Sequence, residues 1–392
     1  MAIKSFLRKI SFKENKRRLL TVRGILSRKV AYRAPDVVQI DLTDRCTGGC
    51  VICWNHSPHI KKEGAVKKTD LEFKAAGEFI DSIKAFGTRE VIFSGGGEPF
   101  VYEHVWEVLE HTNAKGLPFR INTNLLLPDK KDLHRLAGFK YLISLTVSVW
   151  AADPFLYARL HDRTPEDFRR IKERLESLNR LKHGNLKVIM YAVVNRVNAH
   201  CLKDLAELAY YTGCDAVEFG LVDVIPGVSD RYLLNAAQLS GVKNDFLDIL
   251  KKSRGLKHFS VNARTRGIFL RRIAGKGACA GEYDAHVGKT PCYAGWLFLR
   301  LRANGDFNSC LKSHRMPVGN VYKEDAVSVW NNVLQQEFRR HAVRVPKDKG
   351  YFSAIGNCPG KEVGCLRMCD NILINEHVHR FMKYWFKKVK VG

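Results

Sequence analysis

Three cysteines, Cys46, Cys50 and Cys53, fall within eight residues of the stretch "DRCTGGCVICW". Their Cys-x3-Cys-x2-Cys spacing is neither the paired CxxC of a zinc ribbon nor the single CxxC of a thiol oxidoreductase. Thiols this close can hold a metal, form a disulfide with a distant partner, or serve as ordinary side chains. Three thiolates also suit three irons of a four-iron cluster whose fourth iron stays open to a non-protein ligand. A second concentration of thiols lies in the C-terminal third: Cys279, Cys292, Cys310, Cys358, Cys365 and Cys369. Cys201 and Cys214 lie in and just after a helical stretch, where free cysteine behaves as a small buried apolar residue.

The elements that must position these groups can be read from hydrophobic patterning. Strands are predicted at "VVQIDLT" (37–43), "EVIFSG" (90–95), "PFRINTN" (118–124), "YLISLTVSVW" (141–150), "LKVIMYAVV" (186–194) and "AVEFGLV" (216–222). Longer amphipathic stretches separate them, among them "DLEFKAAGEFIDSIKAFG", "PEDFRRIKERLESLNRLKHG" and "NAHCLKDLAELAYYTG", several closing on glycine as helix C-termini often do. Apolar strands each separated by a helix indicate a parallel sheet buried on both faces. Six such units predict an α/β fold, a partial (β/α)6 TIM-like barrel whose reactive residues sit at the C-terminal strand ends. The three cysteines follow the first strand, and Gly95, Gly96, Gly97 and Glu98 follow the second. Thr123 and Asn124 end the third, Ser148 lies at the end of the fourth, and Asn195 and Asn198 follow the fifth. All would converge on one rim.

Composition sets the surroundings. The 392 residues are 45% hydrophobic and 10% aromatic, which is ordinary for a globular chain. No apolar run approaches the ~18 residues of a membrane span. The opening "MAIKSFLRKISFKENKRR" lacks the apolar core and cleavage site of a secretory signal. A cytoplasmic location is expected, and there eleven cysteines point to ligands or free thiols rather than a disulfide framework. The charge is strongly basic, 65 Lys and Arg against 40 Asp and Glu. Residues 1–33 hold eleven of the cations with one acid, Glu14, and residues 377–392 hold five with none. Such a field favours anionic partners or simply confers solubility. The N-terminal arm has helical periodicity interrupted by Gly24. It reads either as a surface helix pair packed on the main domain or as an amphipathic element at a membrane surface, peripheral to the inner face. Nucleic acid is disfavoured, because the basic patches lack interleaved aromatics.

"CTGGCVIC" with "SGGGEPF" about 40 residues later resembles the radical S-adenosylmethionine (radical SAM) superfamily. The resemblance spans about residues 37 to 225 and implies that Cys46, Cys50 and Cys53 ligate a 4Fe-4S cluster whose open iron takes S-adenosylmethionine. Gly96, Gly97, Glu98 and Pro99 match the loop that contacts the cofactor's amino group, where glycines permit close approach. Thr123 and Asn124 join this cofactor rim, Ser148 matches the position that meets the ribose, and Asn198 an asparagine common after strand five. Two positions depart from the family. Ile52 stands where an aromatic residue often lies by the adenine. Where relatives often carry an arginine for the carboxylate, "YARLHDR" offers His161 with Arg159 and Arg163 beside it.

In the C-terminal third, Cys292 is followed after twelve residues by Gly305 and after four more by Cys310, a pattern that reads as a β-hairpin turning at "ANGD". With Cys358, Cys365 and Cys369 it resembles the SPASM/twitch extension of radical SAM enzymes, which binds auxiliary four-iron clusters. The fuller pattern has a further CxxC partner before Cys358 and a cysteine after Cys369, and this chain has neither. One auxiliary 4Fe-4S cluster is therefore expected, held by Cys292, Cys310 and two of Cys358, Cys365 and Cys369. Zinc, which also suits four thiolates, is the alternative.

The implied organisation is a basic amphipathic arm (1–36), a radical SAM partial barrel (37–255), a connector (256–277), a SPASM/twitch-like auxiliary cluster domain (278–372) and a basic tail (373–392). The resemblance implies reductive cleavage of S-adenosylmethionine to a 5′-deoxyadenosyl radical that abstracts hydrogen from substrate, with electrons from a reductase such as flavodoxin or ferredoxin. A net oxidation assisted by the auxiliary cluster is the first expectation, with dehydration or epimerisation open. The expected substrate is a small polar or anionic molecule: a sugar, a cyclitol, or a nucleotide- or lipid-linked sugar. The alternatives are a peptide- or protein-modifying maturase and, from another class, a non-catalytic iron–sulfur or nucleic-acid-binding protein. An intact GGEP loop speaks against the last.

Overall fold

The computed structural model describes residues 2–60, 68–357 and 364–389, with side chains described between 14 and 383. A first helix, α1 (Ala2–Ser27), leads into six strands, β1 (Val37–Ile40), β2 (Glu90–Phe93), β3 (Phe119–Thr123), β4 (Leu142–Ser148), β5 (Lys187–Val194) and β6 (Ala216–Leu221). These are parallel and pair in chain order, and a short β7 (Ser260–Val261) adds beyond β6. Between them run α2 (Phe73–Phe86), α3 (Val105–Ala114), α4 (Lys130–Gly138), α5 (Pro154–His161), α6 (Pro165–Leu181), α7 (Leu202–Tyr211) and α8 (Ala236–Ser253). Val38, Ile40, Val91, Phe93, Phe119, Ile121, Leu145, Val147, Val188, Met190 and Val217 point one way along these strands and are buried. Apolar faces of the helices close over them, as the near-continuous strand hydrophobicity requires. Helix starts are fixed locally: Thr164 with Asp167 and Asn235 with Gln238 form reciprocal capping boxes.

The partial barrel is as expected, but its continuation was not legible. After α9 (Arg266–Ile273) come β8 (Phe298–Leu301), β9 (Asp306–Asn308) and β10 (Gly319–Asn320). The β8–β9 hairpin turns at "ANGD", with Gly305 at φ +86°. Strand β8 runs parallel to β1, so one ten-stranded sheet is ordered β10-β9-β8-β1-β2-β3-β4-β5-β6-β7. The thiol-rich C-terminal part is thus joined directly to β1, the strand that leads into the first cysteines. Helices α10 (Ala326–Trp330), α11 (Val333–Val343), α12 (Gly364–Arg367) and α13 (Ile372–Val389) complete the chain, so the segment expected to be a tail is helical.

The N-terminal arm forms one helix, not a pair. Gly24 is there for contact: a Cβ on it would stand 2.9 Å from Trp296 Cδ1. Val22 and Ile25 are buried, and Trp296 Nε1 and Trp330 Nε1 donate to the carbonyls of Val30 and Arg33. Fully buried Arg339 donates to the carbonyls of Lys29, Gly295 and Trp330, clamping the arm to the C-terminal part. Some of the arm's charge is paired at the amino ends of the strands: Arg17 and Arg33 with Asp36, and the arm's acid Glu14 with Arg89. Among the described residues no helix is long and apolar enough to cross a membrane.

Candidate functional site

The loop after β1 carries Cys46, Cys50 and Cys53 and is held by backbone donors that suit thiolate sulfur. Gly48 N–H points at Cys46 Sγ at 3.5 Å, and the N–H groups of Asn55 and His56 point at Cys53 Sγ at 3.4 and 3.3 Å. Burial raises the pKa of all three thiols, Cys46 to about 11, and their proximity to one another adds to this for Cys46 and Cys50. Metal binding would therefore release protons from the loop. Arg163 adds positive potential at Cys46 and Cys50. Its Nε and Nη2 are buried without a hydrogen-bond partner among the described residues, beside Gly48. A guanidinium with unfilled donors near Cys46 and Cys50 fits a site built for an anionic group.

The glycine loop after β2 interlocks with this one. A Cβ on Gly95, at φ +126°, would lie 1.9 Å from the Asp41 carboxyl carbon, and one on Gly96 would lie 2.2 Å from Asp44 Oδ1. On Gly97 it would stand 2.0 Å from the Arg45 carbonyl oxygen. The glycines are therefore needed for the approach of two protein segments. Asp41 occupies the space beside Gly95 because it pairs with buried Arg300 of β8, and Arg300 donates on to the carbonyl of Leu311. Asn55 Nδ2 and His56 Nε2 both donate to the Gly96 carbonyl, at 2.7 and 2.8 Å.

Glu98 is buried, accepting from Thr123 Oγ1 at 2.6 Å, Asn124 N–H at 2.7 Å and Phe100 N–H at 3.3 Å. Burial pushes its pKa up to about 7 although these donors oppose the rise. Its carboxyl thereby ties the loop to the end of β3, and Asn124 Nδ2 continues to Thr47 Oγ1 at 2.9 Å. Pro99 opens the short 3-10 turn that follows. Ser148 sits partly exposed at the end of β4. Asn198 is fully buried; its Nδ2 donates to the carbonyls of Trp150 and Val193 and its Oδ1 accepts from Asn195 N–H. Its amide thus braces the loops after β4 and β5. His161 is buried too and stands 3.3 Å from Cys50 Sγ, while Arg163 is half-buried and Arg159 is exposed.

The C-terminal thiols also converge. Cys292, Cys310, Cys365 and Cys369 line one cavity of about 30 Å³, with Phe338, Phe352 and Ile355 among its walls. Asn375 Nδ2 donates to Cys292 Sγ at 3.4 Å, and burial raises the thiol pKa of Cys310 to about 12 and of Cys365 to about 11. Cys358 lies outside the described residues. Cys279 is exposed and Cys201 and Cys214 are buried, the latter two as expected. Among the described residues no three His, Cys, Asp or Glu side chains are grouped closely enough to share a single metal ion. A four-iron cluster makes a different demand, one thiolate for each iron it binds.

Between the two thiol sites lies a cavity of about 330 Å³. Cys50, Ile52, Cys53 and Trp54 wall it on one side and Leu311, Lys312, His314 and Asp370 on the other, with Trp150, Tyr191 and Asp223 between. Trp54 packs on His314 at 4.9 Å, and Lys312 forms an ion pair with Asp223 that closes the C-terminal part onto β6. Burial works against the Lys312 charge, but Asp223 and Asp370 outweigh it and hold the ammonium. Tyr191 needs Gly220 opposite, since a Cβ there would meet its hydroxyl at 2.1 Å. Neither Tyr191 nor the Lys312–Asp223–Asp370 group was singled out in the sequence. The only local signal was Lys312 lying two residues beyond Cys310.

A parallel partial barrel with three thiols at its rim and four more in an appended domain defines an iron–sulfur protein scaffold. Comparison with known proteins makes the class particular. Residues 40–209 match the Radical SAM superfamily, and residues 292–360 match the SPASM iron-sulfur cluster-binding domain. The chain thus carries a radical SAM domain and a C-terminal SPASM domain, which imply a 4Fe-4S cluster, S-adenosylmethionine and auxiliary iron–sulfur binding. It is 28% identical to a PqqA peptide cyclase of Rhodopseudomonas palustris over 187 residues, 48% of this chain and 47% of that protein. The chain thus matches about half the length of that relative. It is 23% identical over 340 residues to the mycofactocin maturase MftC of Mycolicibacterium smegmatis, covering 85% of this chain and 78% of that one. The structure of Streptococcus suis SuiB bound to its precursor peptide SuiA superposes with a TM-score of 0.62 at 17% identity, covering 90% of this chain and 74% of that one. At that identity the likeness is one of fold.

Proposed function

We propose that this enzyme modifies a peptide, oxidising a side chain inserted between its two thiol sites. The observation that carries the reading is the 330 Å³ cavity, walled by residues flanking Cys50 and Cys53 on one side and Cys310 and Cys369 on the other. That volume is at the low end for small-ligand sites and suits one or two side chains of a larger substrate. The activities named for the cyclase and the maturase support a peptide over the small polar molecule expected from the sequence.

Cys46, Cys50 and Cys53 would hold the first cluster and Cys292, Cys310, Cys365 and Cys369 one auxiliary cluster. Bound there with S-adenosylmethionine, that cluster would supply the electron for its reductive cleavage, drawn from a reductase such as flavodoxin or ferredoxin. The chain's own residues bind and orient. Gly96, Gly97, Glu98 and Pro99 present backbone at the cofactor, and Ser148 offers a hydroxyl at the end of β4. Thr123, Asn124 and Asn198 hold the loops around it. Arg163, with two donors unfilled, is placed for the carboxylate that the sequence assigned to its segment. Trp54, Trp150 and Tyr191 exclude water around the substrate, and Lys312, Asp223 and Asp370 face it with charge.

The test is anaerobic turnover of the reconstituted enzyme with two fractions of host extract, one of peptides and one of small polar metabolites, each followed by mass spectrometry. A peptide that loses two hydrogens only when S-adenosylmethionine and reductant are present supports the reading. Consumption confined to the small-molecule fraction overturns it.

A further inference from the structure

His161 stands beside Cys50 in a setting that fixes which of its nitrogens carries the proton. Its Nε2 lies 3.2 Å from the backbone nitrogen of Trp150, which can only donate, so Nε2 is the acceptor. The proton of the neutral ring is then on Nδ1, 3.3 Å from Cys50 Sγ. The ring cannot turn away. It is clasped between Tyr157, stacked at 4.4 Å, and Trp150, tilted at 4.5 Å, and is 2% exposed. A buried imidazole with one nitrogen satisfied by backbone and the other aimed at a sulfur has no other acceptor to serve.

We propose that His161 is a positioning residue for the first cluster, its Nδ1–H donating to the Cys50 thiolate and thereby setting the cluster's reduction potential and its hold on iron. Outer donors fix the orientation of metal ligands and tune the metal. Hydrogen bonds to cluster sulfur stabilise the more negative, reduced state and raise the potential. The sequence alone offered His161 for the cofactor's carboxylate; the structure gives it a sulfur instead. The inference rests on the proposed function only in requiring that Cys46, Cys50 and Cys53 hold a cluster.

The test uses the full-length, fully reconstituted enzyme as wild type, His161→Phe, His161→Asn and His161→Gln. Asn places an amide N–H where Nδ1 stands, whereas Gln reaches toward the Nε2 position and Phe keeps only the ring. The potential of the first cluster is followed by EPR-monitored titration, with the second cluster as internal reference, and iron loss to a chelator is timed. His161→Phe should shift the first cluster alone to more negative potential and lose its iron about tenfold faster. His161→Asn should stay close to wild type. A His161→Phe cluster that titrates and sheds iron like wild type overturns the proposal. If that variant does not fold or load, equal potentials for His161→Asn and His161→Gln overturn it. Failure of the wild-type enzyme to cleave S-adenosylmethionine, with the His161→Phe shift in potential still observed, would count against the proposed function and leave this inference standing.

Discussion

Gly97 sits against the backbone of Arg45: a Cβ there would stand 2.0 Å from a carbonyl oxygen that already accepts the Glu98 N–H at 2.9 Å. The residue after Arg45 is Cys46, so any displacement passes directly into the thiol loop. Gly97→Ala should therefore weaken S-adenosylmethionine binding and first-cluster iron together, at a cost of roughly 1–3 kcal/mol in stability. Isothermal titration and iron analysis on the same preparation check this. Lost cofactor binding with full iron would place the clash at the ligand instead.

Glu98 makes stability pH-dependent. Its folded pKa is raised by burial from 4.5 to about 7. The unfolded chain thus releases this proton first, and the site's contribution falls as pH rises from 4.5 to about 7. At about 1.4 kcal/mol per unit the loss is roughly 3 kcal/mol across that window. Glu98→Gln lacks the titration, so the Tm advantage of wild type over the variant should shrink between pH 5 and 7.5, an interval of about 2.5 units. A pH-independent difference would contradict the assignment.

The Lys312–Asp223 ion pair is a latch between the SPASM domain and β6, with Asn357 Nδ2 also donating to Asp223 at 3.0 Å. Lys312→Met leaves Asp223 and Asp370 without their cation and should destabilise the protein by roughly 3 kcal/mol. Adding Asp223→Leu should recover part of the loss, giving a coupling in a denaturant double-mutant cycle. Additive effects would show that the two side chains do not act as a pair.

The barrel was legible because its strands are buried on both faces and its helices are punctuated by Gly87, Gly184 and Gly213. The Cys46–Cys50–Cys53 loop was legible because ligands from one loop are spaced by sequence alone. What escaped depends on distance across the chain. Strand β8 pairs with β1, about 260 residues earlier, through register that no local pattern records. Gly24 looked like a helix breaker because its reason, Trp296, comes from another part of the chain. Asn198 was legible only as a rim residue; its bracing bonds to Trp150, Val193 and Asn195 join loops from two strands and leave no local pattern. His161 gave no sign of its sulfur partner, since that contact needs α5 folded over the loop.

Iron content tests the second site. With four thiols on one cavity and no disulfide among them, about eight irons per chain are expected after full reconstitution, four at each site. Replacing Cys292 and Cys310 by Ala should remove about half of that iron and stop substrate turnover, while uncoupled S-adenosylmethionine cleavage continues. About twelve irons would mean a further auxiliary cluster; about four with stoichiometric zinc would make the site structural.

The central claim is that Cys46, Cys50 and Cys53 hold the cluster that cleaves S-adenosylmethionine, and its most direct test is formation of 5′-deoxyadenosine. Anaerobically reconstituted protein with dithionite and S-adenosylmethionine should produce it in a time-dependent way. The triple Cys→Ala variant at these positions should produce none, while keeping its fold by circular dichroism and about half its iron at the second site. Undiminished 5′-deoxyadenosine from that variant would contradict the account.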